Sequence, residues 1–152
     1  MIVIEKSKTA DTRSCDYATV TKEILRSSSI QHIRDVEKGL NFFRDMLEKA
    51  AVMHDMDKLT DIDGFHADFL TGFKVKEWWE RHKILNRHHL LKDGHVPDDV
   101  NLVDVIEMVV DCVMAGMGRT GTTYPLSIDP DVLMKAFQNT TELMKSNVMV
   151  SS

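Results

Sequence analysis

From Ile30 onward the apolar residues Ile33, Val36, Leu40, Phe43 and Leu47 recur at intervals of three and four. That period puts them on one stripe of an α-helix and predicts that the stripe is buried. The phase continues through Ala50, Ala51 and His54, with Gly39 and Asn41 as weak points. Upstream, a short helix is expected from about Ala18 to Arg26. Ser27, Ser28 and Ser29 interrupt it, and Ser29 caps the long helix. Residues 3–10 read as a short strand or an irregular terminus. Thr60 to Gly64 reads as a turn rich in Asp and Gly, and Ala67 to Phe69 begins a short helix that Gly72 ends.

Lys74 to Leu91 reads as a helix carrying Trp78, Trp79, Ile84, Leu85 and Leu90, and Lys92-Asp93-Gly94 stops it. Val100 to Met114 is strongly apolar. Its length, and the acidic residues Asp104, Glu107 and Asp111, favour a buried helix over a strand. Gly116, Gly118 and Gly121 predict a mobile loop around Arg119. Asp129 and Pro130 are a cap and first-turn pair for a last helix running to about Lys145. The tail SNVMVSS reads as frayed. With strand signal nearly absent, the expected fold class is all-α: a single-domain helical bundle over residues 1–152, of about five to seven helices.

Composition narrows the class. At 152 residues, 43% hydrophobic and 28% charged, the chain is globular rather than disordered. No run approaches the roughly 20 apolar residues that span a bilayer, and the start does not read as a signal peptide. Two well-separated cysteines, Cys15 and Cys112, make no disulfide framework, which fits a reducing cytoplasm. A net charge of -5 argues against a general nucleic-acid binder, since backbone binding neutralises many phosphates. The ten methionines read as soft core filling, or as part of a homodimer interface.

Three sets of polar residues do not fit a bland core. Asp111 follows Val109 and Val110 and precedes Cys112, Val113 and Met114; a carboxylate packed there needs a cation, a metal or several donors. Alternatively Asp104, Glu107 and Asp111 form a solvated stripe. His54 and Asp55 close an apolar run. Adjacent side chains on a helix diverge by about 100°, so the pair reaches one ion only at a helix end or kink. His82, Asn86 and His89 fall on one helical face, with His88 turned away; the alternative is an ordinary solvated surface among Arg81, Lys83 and Arg87. Imidazoles and carboxylates together suit Fe, Mn, Co, Ni or Zn. His32 stands apart: an unbroken helix to His54 would separate the two by about 33 Å. Joint ligation therefore predicts a reversal between about Glu37 and Asp45.

The order His32, His54-Asp55, His82, His88-His89, Asp111 resembles the HD-domain superfamily of metal-dependent phosphohydrolases over roughly residues 30 to 114. The segments HDMDK (54–58), WERHKILNRHH (79–89) and EMVVD (107–111) are similar to those of a group of small uncharacterised phage and bacterial proteins. The resemblance implies one or two divalent ions (Mn, Fe, Co, Ni, Zn or Mg). His32, His54, Asp55 and Asp111 would hold one, with His82 and His88 or His89 around a second that Asp55 bridges. It also implies catalytic roles for Asp55 and Lys58, the lysine meeting a phosphate oxygen. Arg119, in its glycine-rich loop outside the resembling span, is a candidate phosphate clamp, with a solvated loop arginine as the alternative. Asn86 and Glu107 would orient the ligands. The implied substrate is a small phosphorylated molecule such as a nucleotide, hydrolysed by metal-activated water. The implied location is the cytoplasm, that of the host if the origin is a phage. Two alternatives stand beside this reading: di-iron oxygenase chemistry on the same fold, and a non-enzymatic phage-like protein that binds a host partner. His66 and His95 read as bystanders.

Overall fold

The helix that dominates the first third of the chain, α1 (Lys22–Met53), runs through both interruptions expected of it. Serine costs a helix only a few tenths of a kcal/mol. Here Ser28 is fully buried, and the Cβ-less Gly39 lets the Met144 side chain approach to where a Cβ would stand 2.7 Å from its Cε. Ser28 and Gly39 are the buried residues of α1 and lie on one face about three turns apart. Ile33, Val36 and Leu40, expected inside, are exposed (64%, 45% and 65%). Periodicity identified the stripe; it carried no information on whether the chain covers it. The reversal between Glu37 and Asp45 is also absent. Joint ligation by His32 and His54 thus lacks the reversal it required, and His32 is in neither candidate donor group.

The computed structural model describes residues 1–75 and 77–151. They divide into two compact units, residues 1–45 with 142–152, and residues 46–141. Both divisions fall inside helices, α1 and α6 (Pro130–Ser146), where the sequence shows no linker. In the first unit, β1 (Ile2–Glu5) pairs in parallel with β2 (Val148–Ser151), in the register Ile2↔Val148. The tail expected to fray is thus a strand. Its Val-Met-Val run has the β-branched character that suits one, and Asn147 O accepts from the Ile2 N–H at 2.7 Å. The side chains of Gln31 and Lys38 donate to the carbonyls of Glu5 and Val3, both at 2.9 Å. His32 belongs to this unit, with its Nδ1 3.5 Å from Asp11 Oδ2.

The second unit contains the last two turns of α1, then α2 (Asp57–Thr60), α3 (Ile62–Leu70), α4 (Glu77–Leu85), α5 (Leu102–Thr120) and the first part of α6. Its core is built on Leu90, Val100, Met108 and Ala136, with Leu102, Val105, Cys112 and Ile128 packed against them. The turn expected at Thr60 to Gly64 shrinks to Asp61, which caps α3 by accepting from the Gly64 N–H. Gly72, at φ 64°, follows α3 as expected. α4 stops at Leu85 rather than Leu91; Lys76, inside the span expected for it, lies outside the described residues. α5 forms where expected and begins with a capping box between Asn101 and Asp104. Asp104 also accepts from the Arg87 guanidinium at 2.8 and 2.9 Å, so it is no solvated stripe. The helix passes through Gly116 and Gly118 and ends at Gly121, whose φ of 72° supplies the left-handed cap. Arg119 is therefore helical, and the expected loop around it is absent. The fold class is all-α, supplemented by the β1–β2 pair. Among the described residues, no helix is long and apolar enough to cross a membrane.

Candidate metal centre

Three local features of the second unit turn sequence neighbours into spatial ones. The first is the end of α1. The His54 N–H still completes a helical bond to Ala50 O, but Asp55 takes φ 53°, a left-handed conformation uncommon outside glycine. That break lets His54 and Asp55, which would diverge on a continuing helix, face a common point. The Asp55 N–H is held by the Asn86 side-chain oxygen at 3.0 Å. The second is the early stop of α4. His82 lies on the helix, whereas His88 and His89 come after its end, so both turn to the cluster instead of pointing 100° apart. The third is α5, which presents Glu107 and Asp111 one turn apart on the face nearest them.

The donor atoms form two groups that share Asp55, His54–Asp55–His88 and Asp55–His82–His89, with Asp111 beside the first. In the first, Asp55 Oδ2 and Asp111 Oδ1 lie 3.7 and 3.6 Å from His54 Nε2. His88 Nε2 is 3.6 Å from Asp55 Oδ1 and 3.9 Å from Asp111 Oδ2. One carboxylate oxygen, Glu107 Oε1, takes the far side of both rings, 2.9 Å from His54 Nδ1 and 3.0 Å from His88 Nδ1. A ring whose Nδ1 carries the proton offers a lone pair at Nε2, so the hydrogen bond that Glu107 accepts orients His54 as a potential ligand, while His88 Nδ1 is near the same oxygen without hydrogen-bond geometry. In the second group, His82 Nε2 is 3.4 Å from Asp55 Oδ1 and 2.9 Å from His89 Nε2. His82 is fully buried and stacks on Trp78 and Trp79. Asp57 Oδ2 accepts from His82 Nδ1 at 2.8 Å, and Asp57 Oδ1 accepts from the Asn86 amide at 2.9 Å.

The electrostatics keep the carboxylates ionised and pull two of the histidines in opposite directions. Burial acts to raise the Asp55 carboxyl, but its hydrogen bond and ion pair with Lys58, with His54 and His82 nearby, hold it below the usual carboxylate range. Glu107 is likewise held low against its burial by His88 and His54. Burial, reinforced by His88 and His82, pushes His89 down to about 4, leaving it neutral at ordinary pH. Burial acts to lower His88, but Glu107 outweighs it and the ring is raised.

The donor set passes a direct test of fit. Asp55 Oδ1 and His88 Nε2 are buried, face each other, and have no hydrogen-bond partner. Burying such groups unsatisfied costs free energy that a bound cation removes. Two clusters of His and Asp thus provide for one or two divalent ions. Elsewhere, Lys58 is engaged with Asp55. Arg119 lines a cleft of about 380 Å³ that also includes Asp111 and Tyr124. His66 and His95 are in neither group. Glu107 and Asn86 are the residues expected to orient ligands; Asp57, which hydrogen-bonds both His82 and Asn86, has no role assigned from the sequence. Its place two residues after the His-Asp pair was the available signal. No family model, no curated protein and no solved structure matches the chain.

Proposed function

We propose that the chain is a metal-dependent phosphohydrolase of the HD-domain type, acting on a small phosphate ester such as a nucleotide. The observation that carries this reading is the unpartnered, buried pair Asp55 Oδ1 and His88 Nε2, ringed by His54 and Asp111. Two carboxylates and two neutral-capable imidazoles converge there, a composition that suits a divalent ion and has little structural purpose without one. Ions bound there supply Lewis acidity, lowering the proton affinity of water and offsetting charge on phosphate oxygens.

The chain's own residues do the rest. Asp55, held ionised by Lys58, belongs to both groups and fixes their spacing. Glu107 sets the tautomer of His54, and Asp57 that of His82. Lys58 stands beside Asp55, where its ammonium also reaches a phosphate oxygen, and Arg119 lies across the neighbouring cleft as the second cation for the substrate. His32, the family's first ligand, has no part, so His88 takes the corresponding place beside His54.

The test is elemental analysis of protein purified without a histidine tag, with a panel of phosphomonoesters and cyclic nucleotides under Mn, Mg and Ni. Bound divalent metal with turnover supports the reading. Absence of any bound divalent ion overturns it. Iron with a charge-transfer band and no phosphatase activity replaces hydrolysis with oxygenase chemistry.

A further inference from the structure

Next to the His54–His88 group is a cleft of about 570 Å³ between the last turns of α1 and α5. Leu47, Ala50, Ala51, Ile106, Val110 and Met114 supply its apolar wall, and His54, Glu107 and Asp111 line it as well. No lysine or arginine lines it. Its charged groups are two carboxylates, one committed to holding the imidazoles and the other to the cation site. Val110 and Met114 are more than half exposed, a cost in water that an apolar occupant removes. The volume falls within the range of sites for small organic ligands.

We propose that this cleft binds the apolar organic part of the substrate, a phosphomonoester of an aryl or comparably apolar alcohol whose phosphate lies at the His54–Asp55–His88–Asp111 group. The inference rests on the phosphohydrolase reading above and adds the substrate class to it. Three features favour a small molecule over a protein partner. The cleft is continuous with the donor residues, its volume is that of a small-molecule site, and a partner seated on it would cover His54 and Asp111. A sugar phosphate would set most of its hydroxyls against aliphatic wall, since the polar side chains that line the cleft, His54, Glu107 and Asp111, are engaged at the donor group, and would gain little from the cleft. A flat ring or branched alkyl group would be covered by Leu47, Ile106 and Val110 together.

The experiment uses the full chain loaded with Mn and two phosphonates whose C–P bond resists hydrolysis, methylphosphonate and (1-naphthylmethyl)phosphonate, titrated by calorimetry. The naphthyl compound is expected to bind at least about tenfold more tightly, the margin fading towards unity in Val110→Asp and Ala51→Phe. Val110 and Ala51 are exposed positions, so both variants should keep the fold; Mn content and thermal melting verify that they do. Equal binding of the two phosphonates overturns the inference and leaves the metal centre standing. Failure of both to bind to Mn-loaded protein defeats the phosphate reading, and the inference with it. A dimer that Val110→Asp dissociates without changing the naphthyl margin identifies the cleft as a contact between copies, and overturns the inference.

Discussion

The two donor groups share Asp55 and differ in everything that α5 contributes. The His54–His88 group has two carboxylates, Asp55 and Asp111, and a third, Glu107, behind both rings. The His82–His89 group has two imidazoles 2.9 Å apart, one shared carboxylate, and Asp57 behind His82 alone. Asp55 is paired with Lys58 whichever group is considered, so the difference in charge comes from Asp111, which only the first group has nearby. On charge balance the first group is expected to fill at lower metal concentration than the second. The comparison teaches that the face α5 presents, rather than the histidines, sets the two groups apart.

The largest effect should come from the shared residue. Asp55→Asn is expected to weaken both groups by more than about a hundredfold, so that elemental analysis after dialysis finds no bound metal. If one equivalent remains, Asp55 does not join the two groups. Asp111→Asn should empty the first group only, lowering Mn stoichiometry by one; loss of both equivalents would show that the second cannot fill alone. Glu107→Gln should weaken the first group roughly 10–100-fold, and Asp57→Asn should do the same to the second, each sparing the other in Mn titrations. The smallest effect on metal should come from Asp104→Ala. It removes the α5 capping box and one of the two carboxylates that Arg87 holds, Asp99 remaining, costing roughly 1–2 kcal/mol in urea unfolding while metal stoichiometry stays as in the parent.

The parts of this centre visible in the sequence were those set by local rules. α5 and α6 followed from an apolar segment and an Asp-Pro start, and His54-Asp55 stood out because a polar pair closed an apolar phase. What stayed hidden depended on contacts distant in sequence. Three consecutive serines argue against helix by propensity, yet each costs only a few tenths of a kcal/mol and α1 continues through them, so the reversal that joint ligation by His32 needed does not occur. Helical spacing set His88 apart from His89, but α4 ends before either, and an angle computed for a continuing helix no longer applies. Asp104, Glu107 and Asp111 fit a solvated stripe equally well on spacing. Only the arrival of Arg87, His54 and His88 on that face gives each carboxylate its own partner. The β1–β2 pair needs two segments from opposite ends of the sequence, and no window along the chain contains both.

That pairing bears on how the protein is made. Synthesis is vectorial, and Ile2 waits for Val148 to leave the ribosome before its strand has a neighbour. The second unit is one uninterrupted stretch, residues 46–141, that carries every donor of both groups. Its core and donor residues therefore need no contact from either end of the sequence, whereas the first unit is complete only when segments about 150 residues apart have met, the kind of distant pairing that slows folding.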